Sequence, residues 1–230
     1  MRLLNALKSD ILFQFKQGFY IIYVVISILY MVALSWIPPS GLKFVVPIVV
    51  FSDPSVLGLF FVGGIIMLEK LQGVIQSIVV TPLTTREFVL SKVISLSIIS
   101  VLAGVVITRL TYIDSVQWVI LIIALLLTSS LFTLCGIVIG AKCKTVNQYL
   151  MKTVPIMLVL IIPCFSIIGF KYTYFLTFIP SVAALRLMLG AYLGMGGLEL
   201  LFLISYLIFI NYCVLLYTEK VFDKYVVFGG

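Results

Sequence analysis

The chain has 230 residues, 63% hydrophobic and 10% charged, where a soluble domain has about 45–50% and about 25%. That much apolar surface cannot be hidden in a water-soluble fold of this length; at about 20 residues per span there is room for roughly six or seven membrane helices and no separate catalytic domain. Histidine is absent, which excludes histidine metal sites and Ser-His or Cys-His catalysis, and the net charge of +7 reads as the cytoplasmic Lys/Arg excess of a membrane protein, with no nucleic-acid partner.

Residues 1–17 read as an amphipathic helix. Leu3, Leu4, Leu7, Ile11 and Phe15 share one arc, and Arg2, Asn5, Lys8, Ser9 and Lys16 lie mostly elsewhere. Such a helix lies flat in a membrane interface. No A-x-A cleavage site follows, so the apolar stretch after it is expected to be a retained span and not a signal core. That first span covers residues 19–37 and ends at the breaker cluster Pro38-Pro39-Ser40-Gly41. Tyr20, Tyr23, Ser27 and Tyr30 fall at i, i+3, i+7 and i+10 on it, giving one hydroxyl-bearing face. Polar side chains on a span avoid lipid, and tyrosine joins an apolar ring to a polar handle. These four are the candidates for lining a translocation path.

The second span is expected over 54–68, with Asp53 as N-cap and Pro54 in the first turn. Residues 44–51 either extend it or lie at the outer surface. Residues 69–92 are the most informative interval. Leu71, Val74, Ile75, Ile78 and Val79 recur at helical spacing, giving an amphipathic helix over 71–82 that is too short to span. Pro82 ends it, and Thr84-Thr85-Arg86-Glu87 supplies a capping box that opens the next helix. A short cytoplasmic helix held between two spans can pass a push from a soluble partner to both, although an inert connecting loop fits the periodicity equally well.

The third span covers 88–108 and the fourth 118–141, where the Gly136–Gly140 spacing permits close helix approach. The inner loop 142–148 carries Lys142 and Lys144, and the fifth span covers 153–170. The interval 171–197 is too long for a tight turn and too apolar for a free loop; Pro180-Ser181 fits a helix start within it. The sixth span covers 200–217. The four cysteines, Cys135, Cys143, Cys164 and Cys213, form no C-x-x-C pair and read as packing residues. With the N-terminus inside, Arg2, Lys8, Lys16, Lys70, Arg86, Lys92, Lys142, Lys144, Lys152, Lys220 and Lys224 fall on the inner side, against Lys43, Arg109, Lys171 and Arg186 outside. Six spans with both termini cytoplasmic satisfy the positive-inside rule. The fold class is an all-α membrane protein forming a single domain.

Glu69, Gly73, the run Val80-Thr81-Pro82-Leu83-Thr84, Glu87 and Lys92 resemble the signature of the ABC-2 type transporter permeases. In that family a glycine and a Thr-Pro turn precede a glutamate and a lysine that open the third span. The six-span order and the interfacial N-terminal helix extend the likeness to most of the chain, and the chain departs from it in carrying only Glu69 and Lys70 before the glycine and Gln76 after it. The resemblance implies a permease subunit of an ATP-driven exporter in a bacterial plasma membrane. It implies a second permease copy or homologue, a separate ABC ATPase subunit that binds ATP and Mg, and a drug-like, amphipathic or lipid-like cargo. It implies that 71–82 is a coupling helix seated on the ATPase, with Glu69, Lys70, Leu71, Gly73, Val74, Ile75, Ile78, Pro82, Arg86 and Glu87 as coupling residues, and that 171–197 forms short re-entrant helices before span six. No G-x-x-x-x-G-K-[ST] occurs, so the chain holds no phosphate cradle of that kind and no cofactor of its own is expected.

Two rivals are weighed against this. An ion-coupled carrier or channel uses membrane-embedded carboxylates or histidines as relays, and the interiors of the six expected spans read as uncharged. A membrane enzyme needs clustered acids, a metal set or a nucleophile with its base, and no such grouping is visible, so the chain is expected not to be an enzyme.

Overall fold

The computed structural model describes residues 2–52, 57–73, 83–112, 115–161 and 178–227, and these are all-helical. Among the described residues nine α-helices follow one another: α1 (Arg2–Lys16), α2 (Phe19–Ser35), α3 (Pro39–Val50), α4 (Leu57–Leu71), α5 (Thr85–Thr111), α6 (Trp118–Ala141), α7 (Val146–Ile161), α8 (Pro180–Leu193) and α9 (Gly197–Phe222). A π-helical turn, Asp223–Val227, extends α9.

Local chemistry accounts for most of the boundaries. Gly18, at φ +77°, stands between α1 and α2, a left-handed conformation that favours glycine, and the two helices meet there at 62°. The Pro38-Pro39 cluster does more than end α2. Pro39 opens α3 at its first turn, so residues 44–50 belong to a helix that begins at the breaker cluster. α5 starts from the expected capping box: Thr84 Oγ1 accepts from the Glu87 amide at 3.2 Å, and Glu87 Oε2 accepts from the Thr84 amide at 2.9 Å. α7 begins at Val146, well before the expected 153, because Thr145 Oγ1 accepts from the Gln148 backbone amide and the Gln148 side-chain Oε1 accepts from the Lys144 backbone amide. The expected fourth span, 118–141, coincides with α6. The sixth, 200–217, grows into a helix from Gly197 onward.

α5, α6 and the continuous stretch Gly197–Val226 are each long and apolar enough to cross a membrane; α1 and α2 together pass as one bent span. α4 and α7 run up to residues 53–56 and 162–177, which lie outside the described residues, as do the expected Asp53 and Pro54 start and the later part of the 153–170 span. α8 is short, begins at Pro180 as expected, and is buried along nearly its whole length from Ser181 to Tyr192. It is therefore an internal helix and not a surface-lying one. Residues 171–177 of the expected re-entrant region lie outside the described residues.

α6 is the central helix, packed on α4, α5, α8 and α9. Its Gly136 admits the α4 backbone, since a Cβ there would lie 2.7 Å from the Leu59 carbonyl oxygen; the Gly136–Gly140 spacing thus serves the α4–α6 crossing. Asn211 ties α9 to α6 by donating to the Leu127 carbonyl at 3.1 Å while Ser130 donates to its side-chain oxygen at 2.8 Å. Two apolar cores result. One gathers Leu34, Val46, Phe51, Leu121, Val182, Met188 and Leu207. The other gathers Tyr23, Ile66, Phe88, Leu96, Ile137, Tyr149 and Phe222. The second lies at the end of the bundle where α1, the start of α5 and α7, and the close of α4, α6 and α9 converge. The eleven basic residues assigned above to the inner side sit on these segments, and this is called the basic end below.

Tyr149 of α7 fills a notch that Gly63 leaves in α4, with its hydroxyl donating to the Leu59 carbonyl. A Cβ on Gly63 would fall 1.9 Å from the ring, whereas Gly64 has no neighbour within 4 Å. Gly63→Ala is therefore expected to destabilise the fold by about 1–3 kcal/mol through overpacking. Gly64→Ala is expected to leave stability at or slightly above the parent. Thermal unfolding of the two variants in detergent checks the pair.

Candidate functional site

The expected coupling residues divide into those described and those not. Val74, Ile75, Ile78 and Pro82 lie outside the described residues. Leu71 does not open a new helix; it is the last residue of α4, 77% exposed. Gly73, at φ +68°, follows as the left-handed residue that terminates α4, its amide donating to the Lys70 carbonyl at 3.3 Å.

Glu69 and Lys70 both turn into the bundle. Lys70 donates to three carbonyls at the end of α6 and just past it, Gly140 at 2.9 Å, Ala141 at 3.0 Å and Cys143 at 2.8 Å. Those carbonyls include groups that a helix leaves without intrahelical partners, at the negative end of its dipole, where a cation is favoured. Glu69 is buried and accepts from Lys92 at 2.6 Å. Arg86, on the first turn of α5, pairs with Glu219 of α9 at 3.4 Å. Beside it Thr85 donates to Asp223 at 2.5 Å. Glu87 is committed to the capping box. Thus the charged residues on both flanks of 74–82 are bonded to the bundle or to the helix they open.

Lys92 is where the structure departs most from the sequence reading. It lies in α5 with no exposed surface, so a charge does enter the expected 88–108 span. Its ammonium donates to Glu69 of α4 and, at 3.0 Å, to Asp10 of α1, and sits 4.4 Å from the centre of the Phe88 ring. Asp10 also accepts from Ser91 at 2.5 Å, and buried Gln14 donates to Ser95 at 2.7 Å. Breaking one partner out of a buried pair costs about 3–5 kcal/mol, so this cluster fixes α1 on α5. The signal for it was the i, i+4 spacing of Asp10 with Gln14 on α1 and of Ser91 with Ser95 on α5, neither of which the sequence reading singled out.

The expected path residues partly converge. Tyr20, Tyr23 and Ser27 line a groove of about 240 Å³ between α2 and α5, with Val24, Ile28, Met31, Ile99, Leu102, Ala103 and Val106. Its wall is almost wholly apolar, with the hydroxyl-bearing residues of α2 along one side. Tyr23 is nearly buried, its ring 5.0 Å from that of Phe61. Tyr30 is half-buried and does not line the groove. The helical spacing thus placed three of the four residues on one face, and the fourth drifts off it.

The family model of the fluoroquinolones export permease proteins matches residues 1–229. Two curated relatives, the fluoroquinolones export permease proteins of Mycobacterium tuberculosis strains CDC 1551 / Oshkosh and ATCC 25618 / H37Rv, are each 28% identical to this chain over 191 residues. The similarity covers 83% of this chain and 80% of each relative.

Lys70→Met removes three donors from the end of α6 without altering the apolar stem. It is expected to lower stability by about 1–3 kcal/mol, the cost of leaving buried carbonyls unpaired. Lys70→Arg is expected to recover part of that loss. Unfolding midpoints of the three proteins, measured in the same detergent, give the comparison.

Proposed function

The chain belongs to the fluoroquinolones export permease protein family, and on that footing we propose that it is the membrane-spanning subunit of an ATP-driven exporter of the ABC-2 type. It works as a dimer, with a second copy or a homologue, beside separate ATPase subunits that bind ATP and Mg. Six spans place both termini in the cytoplasm of a bacterial cell, and the cargo is an amphipathic, drug-like molecule of the fluoroquinolone kind. The basic end faces the cytoplasm, as the Lys/Arg bias requires.

The observation that carries this reading is the full-length family match, joined to the groove between α2 and α5. An apolar groove edged by tyrosine and serine hydroxyls suits a planar aromatic cargo with a few polar groups. The interval 74–82 connects the close of α4 to the start of α5, and both of those lie at the basic end. In this reading it meets the ATPase, and closure of the ATPase pair on ATP moves α4 and α5 together. The polar contacts expected of Glu69, Lys70, Arg86 and Glu87 then act from inside the permease, holding the segment's two flanks, and Leu71 presents the exposed apolar contact.

The test is transport by inverted membrane vesicles carrying the tagged chain and whatever ATPase copurifies with it. A fluorescent fluoroquinolone is expected to accumulate on ATP addition and not on imposing a proton gradient. Ala103→Trp, which fills the groove, is expected to reduce the rate at least fivefold while ATP hydrolysis continues. Uptake driven by a proton gradient in the absence of ATP and of any ATPase overturns the reading in favour of an ion-coupled carrier.

A further inference from the structure

Lys92 draws three helices that are distant in sequence onto one ammonium: α1 through Asp10, α4 through Glu69 and α5 through its own backbone. Glu69 lies at the end of the helix that precedes the interval 74–82, and Lys92 lies near the start of the helix that follows it. The cluster is not saturated. Glu69 Oε2 and Gln14 Oε1 are both buried, and neither accepts a hydrogen bond among the described residues. An ammonium has three donors and no fixed fork. With the spare Glu69 oxygen beside it, it can trade one oxygen for another without ever standing unpaired.

From this geometry we infer that Lys92 is a positioning residue for transport. It makes α1 and the basic ends of α4 and α5 move as one body, so that a displacement of the joined ends of α4 and α5 is passed to the amphipathic helix α1 and, through Gly18, to the groove-lining helix α2. The inference rests on reading 74–82 as the segment that meets the ATPase; the residues that carry it are Asp10, Gln14, Glu69, Ser91, Lys92 and Ser95, none of which lies in that segment. A static staple predicts something different. Buried ion pairs are often replaceable by apolar residues of similar volume with stability kept, so a purely structural cluster should tolerate its complete apolar replacement in function as well as in folding. A coupling joint should not.

The experiment uses the full chain with its copurifying ATPase in liposomes and compares the parent with Lys92→Arg and with the triple variant Asp10→Ala/Glu69→Met/Lys92→Met. The triple variant is expected to insert and assemble, to hydrolyse ATP within about twofold of the parent, and to export at least tenfold less fluoroquinolone per ATP. Lys92→Arg, which keeps the cation, is expected to recover most of that ratio. A parent-like export ratio in the triple variant overturns the inference. A second measurement needs no ATPase. In a background with the native cysteines replaced by alanine, spin labels at Ser9 on α1 and Met151 on α7 report where α1 sits; both positions are exposed. The parent is expected to give one narrow distance distribution, and Asp10→Asn and the triple variant broad ones. A narrow distribution in both variants overturns the inference even if the triple variant assembles poorly. Absence of any copurifying ATPase from the parent preparation counts against the coupling segment itself, and is told apart by the label distances.

Discussion

An ammonium with no exposed surface inside a bundle of apolar helices is the constraint on which the basic end of this protein is organised. A lone buried charge is one of the most costly groups a fold can contain. Lys92 is tolerable only because two carboxylates, from α1 and α4, reach it from different directions. That requirement settles matters far from the lysine. α1 cannot float free on the membrane surface, because Asp10 must stay within 3.0 Å of the ammonium. α4 must end with Glu69 facing α5, which turns Lys70 toward the end of α6. There Lys70 meets carbonyls at and just past the end of α6. One buried charge thereby sets the mutual register of four helices.

The other end of the bundle is held by different physics. It has no buried ion cluster among the described residues; α3 and the internal helix α8 fill it with Val, Leu, Ala and Met side chains. Its polar contacts include neutral pairs, such as Thr108 with Tyr192 and the Gln117 amide with the Ala191 carbonyl, and a partly exposed ion pair, Arg186 with Glu199 at 3.8 Å. Apolar packing is non-directional and tolerates small slides, whereas an ionic cluster moves only by exchanging partners. A bundle made this way has a stiff, directional end and a more yielding one. In the proposed reading, input arriving at the stiff end crosses the helices before it reaches the groove, whose walls are almost wholly apolar.

The features legible in the sequence are those whose causes are local. The Thr84–Glu87 capping box, the helix start at Pro180 and the uninterrupted apolar run of α6 each show in consecutive or nearby residues. The periodic hydroxyl face of α2 was legible for the same reason, up to the drift at Tyr30. What escaped was non-local. Lys92 read as a charge at the mouth of a span because its partners lie 82 and 23 positions away. Gly63 carries no sign in its own neighbourhood that a tyrosine on another helix requires its missing Cβ. Glu69 and Lys70 stand beside a coupling motif and so read as outward contacts, yet the side chains point inward, a choice made by α5 and α6 and not by their own helix. The start of α7 lay within reach of local reasoning, since Thr145 and Gln148 carry the spacing of a cap, but the lysines around them drew the reading toward a loop.

The position of the ion cluster also bears on how such a protein is energised. The presence of a buried lysine with two carboxylates weakens the simple argument that uncharged spans exclude ion coupling. Its location restores that argument in a narrower form. From Val93 to Thr108 α5 carries no charged side chain, α6 carries none along its length, and α9 carries none between Glu199 and Glu219. An ion-coupled carrier needs titratable or ion-binding groups that face alternate sides of the membrane as the cycle proceeds. Here the acids and their lysine sit together at one end, tied to each other and to serine and glutamine partners on the same level. A cluster so placed has nowhere to hand a proton across the bilayer. It is well placed to link the helices that flank the interval 74–82, and the groove beyond it is lined by hydroxyl-bearing and apolar residues. The distribution of charge therefore fits work supplied from outside the membrane domain and delivered through its basic end.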